Sequence, residues 1–116
     1  MTQYLNAKDL LKNTESAVVV FTHGDYLQID PNGSGQSGIW VVNPDNLDYV
    51  DSIIIYLRLP NSNINRLLKG TYLRCSPAGV PRRYYLHFSE LKEIGTTPSN
   101  WIQFGNGGQN PVCIIG

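Results

Sequence analysis

Gly70-Thr71-Tyr72-Leu73-Arg74-Cys75 and Arg82-Arg83-Tyr84-Tyr85-Leu86-His87-Phe88 flank the turn-rich stretch Ser76-Pro77-Ala78-Gly79-Val80-Pro81. Two aromatic-rich runs around a Pro/Gly cluster read as a β-hairpin. The same grammar recurs upstream. Ser52-Ile53-Ile54-Ile55-Tyr56-Leu57-Arg58 predicts a central strand, and Ala17-Val18-Val19-Val20-Phe21-Thr22 predicts one buried on both faces. Asp25-Tyr26-Leu27-Gln28-Ile29 follows His23-Gly24, which suits a tight hairpin. Gly38-Ile39-Trp40-Val41-Val42 is a further strand, stopped by the turn signal Asn43-Pro44-Asp45-Asn46. Residues 61–68 read as a connector with one helical turn over 64–68. Residues 100–104 and 112–115 supply the last two strands.

One helix is expected, capped by Asn6 over residues 7–12, with Asp9 near the positive end of its dipole. Short strands at about ten-residue spacing, with no long helices between them, predict a mainly β protein. The expected architecture is a small antiparallel barrel or half-open barrel with a short N-terminal helix. Parallel pairing would need crossover connections, usually helical. The chain of 116 residues is long enough for one core, so 1–116 is read as a single domain, with the helix in 1–14 and the barrel in 15–116. The layout is similar to PUA-like and OB-like barrels in strand spacing alone; no motif ties it to a family.

Charged residues make up only 16 % of the chain, below the usual quarter, which favours turns over solvated helical faces. Their order is more informative than their number. Residues 13–51 hold Glu15, Asp25, Asp30, Asp45, Asp48 and Asp51 and no Lys or Arg. Residues 52–89 hold Arg58, Arg66, Lys69, Arg74, Arg82 and Arg83 and no acid. A formal net charge of zero therefore conceals a −6 block beside a +6 block. Such blocks either pair inside the fold or leave a positive face that attracts phosphate.

Several motifs fail their context test. Gly33-Ser34-Gly35-Gln36-Ser37-Gly38 spells the dinucleotide fingerprint, but that fingerprint works by handing a pyrophosphate to a helix. Here a β-branched run stopped by proline follows. Asp30-Pro31-Asn32-Gly33-Ser34-Gly35 has oxygen ligands at alternate positions, yet position twelve is Val41 where a calcium loop needs a bidentate Glu. His23, His87, Cys75 and Cys113 show no metal-ligand spacing. No metal or cofactor is expected. The N-terminus has neither the basic nor the apolar region of a signal peptide, and no apolar run is long enough to span a bilayer. A cytoplasmic protein with no membrane partner is expected.

What remains is a constellation set by strand alternation. With period two, Tyr56 and Arg58 share a face, as do Tyr72 and Arg74, and likewise Arg83, Tyr85 and His87. If these strands are neighbours in register, guanidiniums and aromatic rings lie side by side. Single-stranded RNA or DNA needs that mixture, because cations hold phosphates while rings stack bases. The leading expectation is a non-catalytic nucleic-acid-binding module using Arg58, Tyr72, Arg74, Arg83, Tyr85 and Trp101. One alternative is a small metal-independent nuclease in which His87 and Glu90 exchange protons beside the arginines. The other is a protein-interaction subunit, or a homo-oligomer, joined through its acidic and basic halves.

Overall fold

A run of consecutive β-branched residues can bury both faces of a strand at once, but only in the middle of a covered sheet. Val18, Val19 and Val20 and Ile53, Ile54 and Ile55 are all fully buried, so their two strands sit at such a centre. The structure, a computed structural model, describes residues 2–105 and 108–116. Its strands are β1 (Ala17–Thr22), β2 (Leu27–Ile29), β3 (Gly35–Val41), β4 (Ser52–Leu57), β5 (Asn65–Pro77), β6 (Arg83–Thr97) and β7 (Val112–Ile115). One short helix, α1 (Trp101–Gly105), and two 3-10 turns, Ala7–Leu10 and Pro44–Leu47, complete the described elements. The strands form one seven-stranded sheet in the order β2-β3-β6-β5-β4-β1-β7.

Each face of the sheet carries its own core. On the first face Val18, Val20, Ile53, Ile55, Leu86 and Phe88 pack with Leu47 and are joined by Leu27, Trp40 and Tyr72. On the second face Val19, Ile54, Tyr56 and Leu67 pack under Ala7, Trp101 and Phe104. Each fully buried Val, Ile or Phe contributes about 1.5–3 kcal/mol. The sheet curls, and Val41 and Val42 line a cavity of about 270 Å³ together with Val112 and Ile114 of β7. It does not close: β2 and β7 both remain edge strands. The mainly β expectation holds; of the expected antiparallel barrel or half-open barrel, the closed form is not made, and the sheet is mixed rather than antiparallel.

Four local expectations change. First, β1 pairs with β4 in parallel, Val19 opposite Ile54. The crossover is made by β2, β3 and the 3-10 turn at Pro44–Leu47, so no helix is needed. Second, β2 pairs with β3 rather than with β1, so His23-Gly24 is not a hairpin between those strands. Third, residues 64–68 are not helical, because β5 begins at Asn65 and β6 runs on to Thr97. Fourth, residues 101–105 are helical rather than extended. Asn100 Oδ1 accepts from Gln103 N at 2.9 Å, and the Asn100 carbonyl accepts from Phe104 N at 2.9 Å, which starts the turn.

The N-terminal helix is likewise a single 3-10 turn, in which the Asp9 carboxylate accepts from Asn6 N at 3.1 Å. Its end is tied to the sheet by a polar cluster. Lys69 Nζ donates to Leu10 O at 2.7 Å and pairs with Glu15 at 3.0 Å, while Lys12 N and the Ser52 hydroxyl also donate to the Glu15 carboxylate. Burial alone would raise the Glu15 pKa. Its hydrogen bonds from Ser52, Lys12 and Lys69 outweigh that, and the carboxyl titrates at about 2.

Candidate binding face

On β5 the second core ends at Leu67. Farther along β5 and β6, Arg74 is exposed and Ser76, Arg83, Tyr85 and His87 are half-buried. One bulge determines which β5 side chains stand there. Tyr72 is opposite Phe88, yet Arg74 is opposite His87, so one extra residue at Leu73 shifts the phase. Arg74 moves onto the second face, while Tyr72 stays against the first core. Tyr72 and Arg74 therefore do not share a face, and burial raises the Tyr72 hydroxyl above its ordinary pKa.

On β6 the alternation is undisturbed from Arg83 to Phe88. Leu86 and Phe88 are buried in the first core, which puts Arg83, Tyr85 and His87 on the second face as the sequence predicts. This half of the face thus carries Arg74 and Ser76 from β5, Arg83, Tyr85 and His87 from β6, and Gln36 opposite His87 from β3. A cleft of about 290 Å³ lies at one end, lined by Gln28, Asp30, Gln36, Arg74 and His87. Arg83 is held by a hydrogen bond from Nη1 to Ile39 O at 3.1 Å.

Tyr85 lies against backbone. A β-carbon at Gly38 would overlap its ring, so the absence of a side chain there allows the ring to rest on β3. Gly38→Ala is expected to displace the Tyr85 ring and to cost about 1–3 kcal/mol by overpacking. A urea melt, with the Tyr85 ring resonances followed by NMR, checks both effects.

His87 Nε2 and Ser76 Oγ share a hydrogen bond at 2.6 Å. Burial and then the neighbouring Arg74 charge hold the His87 pKa below its ordinary value, so the imidazole is neutral near pH 7. Glu90 occupies a bulge with φ +56, and its carboxylate accepts from the Thr71 hydroxyl at 3.4 Å rather than from His87. Among the described residues no hydrogen bond joins His87 to Glu90, the proton-exchanging pair of the nuclease alternative.

Arg58 and Trp101 are placed elsewhere. Arg58 follows β4, at the opposite end of β5 from Arg74, and Trp101 is a core residue on α1, 7 % exposed. Tyr56 and Arg58 do share the second face, but in the half beside the second core. Ion pairing between the charge blocks is sparse. Among the described residues the ion pairs are Lys69–Glu15 and Arg66–Glu93, so Arg58, Arg74, Arg82 and Arg83 have no carboxylate within 4.0 Å.

The sequence reading missed Gln36, Gly38 and Ser76. Gln36 and Ser76 join the face only through pairing with β6, and the role of Gly38 depends on the register of Tyr85. Cys75 and Cys113 are both free thiols. No three His, Cys, Asp or Glu side chains converge among the described residues, and no described helix is long and apolar enough to cross a membrane. No protein-family model, curated protein or solved structure matches the chain.

Proposed function

We propose that this chain is a cytoplasmic, non-catalytic module that binds single-stranded RNA or DNA across the half of the second face that carries Arg74 and Arg83. The observation that carries the reading is the bulge at Leu73, which sets Arg74 opposite His87 on the face that Tyr85 and Arg83 share; among the described residues neither arginine has a carboxylate within 4.0 Å. Arg74 and Arg83 hold phosphates, and Tyr85 offers the ring on which a base stacks. Arg58, Tyr72 and Trp101 leave the proposed face. The two free thiols support a reducing compartment.

Fluorescence anisotropy with labelled single strands tests it. Arg74→Ala and Arg83→Ala should each weaken binding across sequences and flatten the log–log salt slope by about 0.7. Tyr85→Ala should cost about 1–3 kcal/mol of binding and leave the slope unchanged, because stacking releases no counterions. Arginine variants that keep full affinity would sink the reading and favour an interaction subunit joined through the charge blocks.

A further inference from the structure

At the other end of β5, Arg58 is half-buried, and among the described residues its guanidinium bonds only neutral groups. Nε donates to Ser62 O at 2.9 Å, and Nη1 donates to Asn65 Oδ1 at 2.6 Å. A guanidinium has five N–H donors; with these two used, three remain. Asn65 is itself 8 % exposed and clamped, its amide donating to Thr97 O at 3.0 Å and Ser99 O at 3.3 Å. The head group is therefore fixed before any ligand arrives, which lowers the entropy cost of binding one.

Arg58 and Asn65 line a cavity of about 350 Å³ whose other walls include Phe21, Tyr56, Trp101 and Pro98. Phe21 and Trp101 are stacked, with ring centroids 5.7 Å apart and planes 25° from parallel, and Tyr56 meets both edge-on. A second cavity of about 430 Å³ shares Arg58, Asn65 and Pro98. Apolar, aromatic walls with a few placed polar groups are the usual make-up of a small-molecule site. The size suits one ring and one small polar group, near the lower end of the range for such sites.

We propose that this cavity binds a small aromatic monocarboxylate, its ring against Phe21, Trp101 and Pro98 and its carboxylate on the free N–H groups of Arg58. A planar guanidinium matches a carboxylate in geometry. The lining residues hold only one cation, so a single negative charge is matched and a phosphate dianion is not. Ligand and charge also answer each other energetically, since a half-buried cation without a counterion gains from one. This site is distinct from the face of Arg74 and Arg83 and does not depend on the nucleic-acid reading.

Benzoate titrated against the full chain, followed by the Trp101 indole cross-peak in ¹H–¹⁵N spectra, is the direct test. The peak should shift and saturate below about 10 mM. Benzamide, the neutral isostere, should bind at least about tenfold more weakly, since it lacks the charge-assisted contact. Arg58→Gln should abolish the preference for the acid. Should that variant melt below the titration temperature, Arg58→Lys keeps the charge but loses the fork, and should weaken benzoate by several-fold without changing benzamide. Equal binding of acid and amide, an Arg58→Lys variant with unchanged benzoate affinity, or no shift by 10 mM would overturn the proposal.

Discussion

Replacing Glu15 by Gln is expected to lower the unfolding free energy by about 2–4 kcal/mol, because it leaves the half-buried Lys69 ammonium without its anion. The carboxylate joins the end of the N-terminal turn to β4 and β5 through Lys12, Ser52 and Lys69. Chemical denaturation at neutral pH measures the loss. The same group predicts an acid limb in the stability curve. Its folded pKa of about 2 lies below the ordinary 4.5, so an unfolded chain binds a proton that the folded chain refuses between those values. The contribution is complete above about pH 4.5 and is lost as pH falls toward about 2, with a ceiling near 3 kcal/mol. In the Glu15→Gln variant that limb should be shallower by the same amount. An unchanged acid limb would show that the cluster is not formed in solution.

Trp101→Ala is expected to cost about 3–5 kcal/mol, the usual loss for a large aromatic residue cut from a core. Trp101 stacks on Phe21, meets Tyr56 edge-on and donates from Nε1 to Asn110 O at 2.9 Å. With Phe104 it is one of the two large α1 side chains packed in the second core. A fall of roughly 10–30 °C in Tm should follow, while affinity for single strands measured below that temperature stays unchanged. A variant with native stability and lost binding would instead return Trp101 to the role of a stacking residue, as the sequence alone suggested.

That contrast shows what the sequence could disclose. β1 and β4 were legible because Val18–Val20 and Ile53–Ile55, two runs of three β-branched residues, can be buried on both faces only at the centre of a sheet. The β5–β6 turn was legible from Pro77, Gly79 and Pro81. The face shared by Arg83, Tyr85 and His87 followed from period two, because no bulge interrupts that part of β6. Tyr72 and Arg74 were assigned one face by the same rule, and the bulge at Leu73 separated them. A one-residue insertion is set by pairing with β6, and nothing in Tyr72-Leu73-Arg74 itself records it. The five-residue α1 is too short for a helical period to declare itself, and Trp101-Ile102-Gln103-Phe104 has strand-like composition. The parallel β1–β4 pair was missed because β2, β3 and a 3-10 turn make a crossover that is usually helical.

The salt dependence of binding to a labelled deoxythymidine strand of about ten nucleotides tests the central claim most directly. Two phosphate contacts, from Arg74 and Arg83, predict a log–log slope of about −1.4 or steeper for the native chain, moving toward zero in the Arg74→Ala/Arg83→Ala double variant. A slope that the double variant leaves unchanged, or no binding at low salt, would contradict the assignment of this face to nucleic acid.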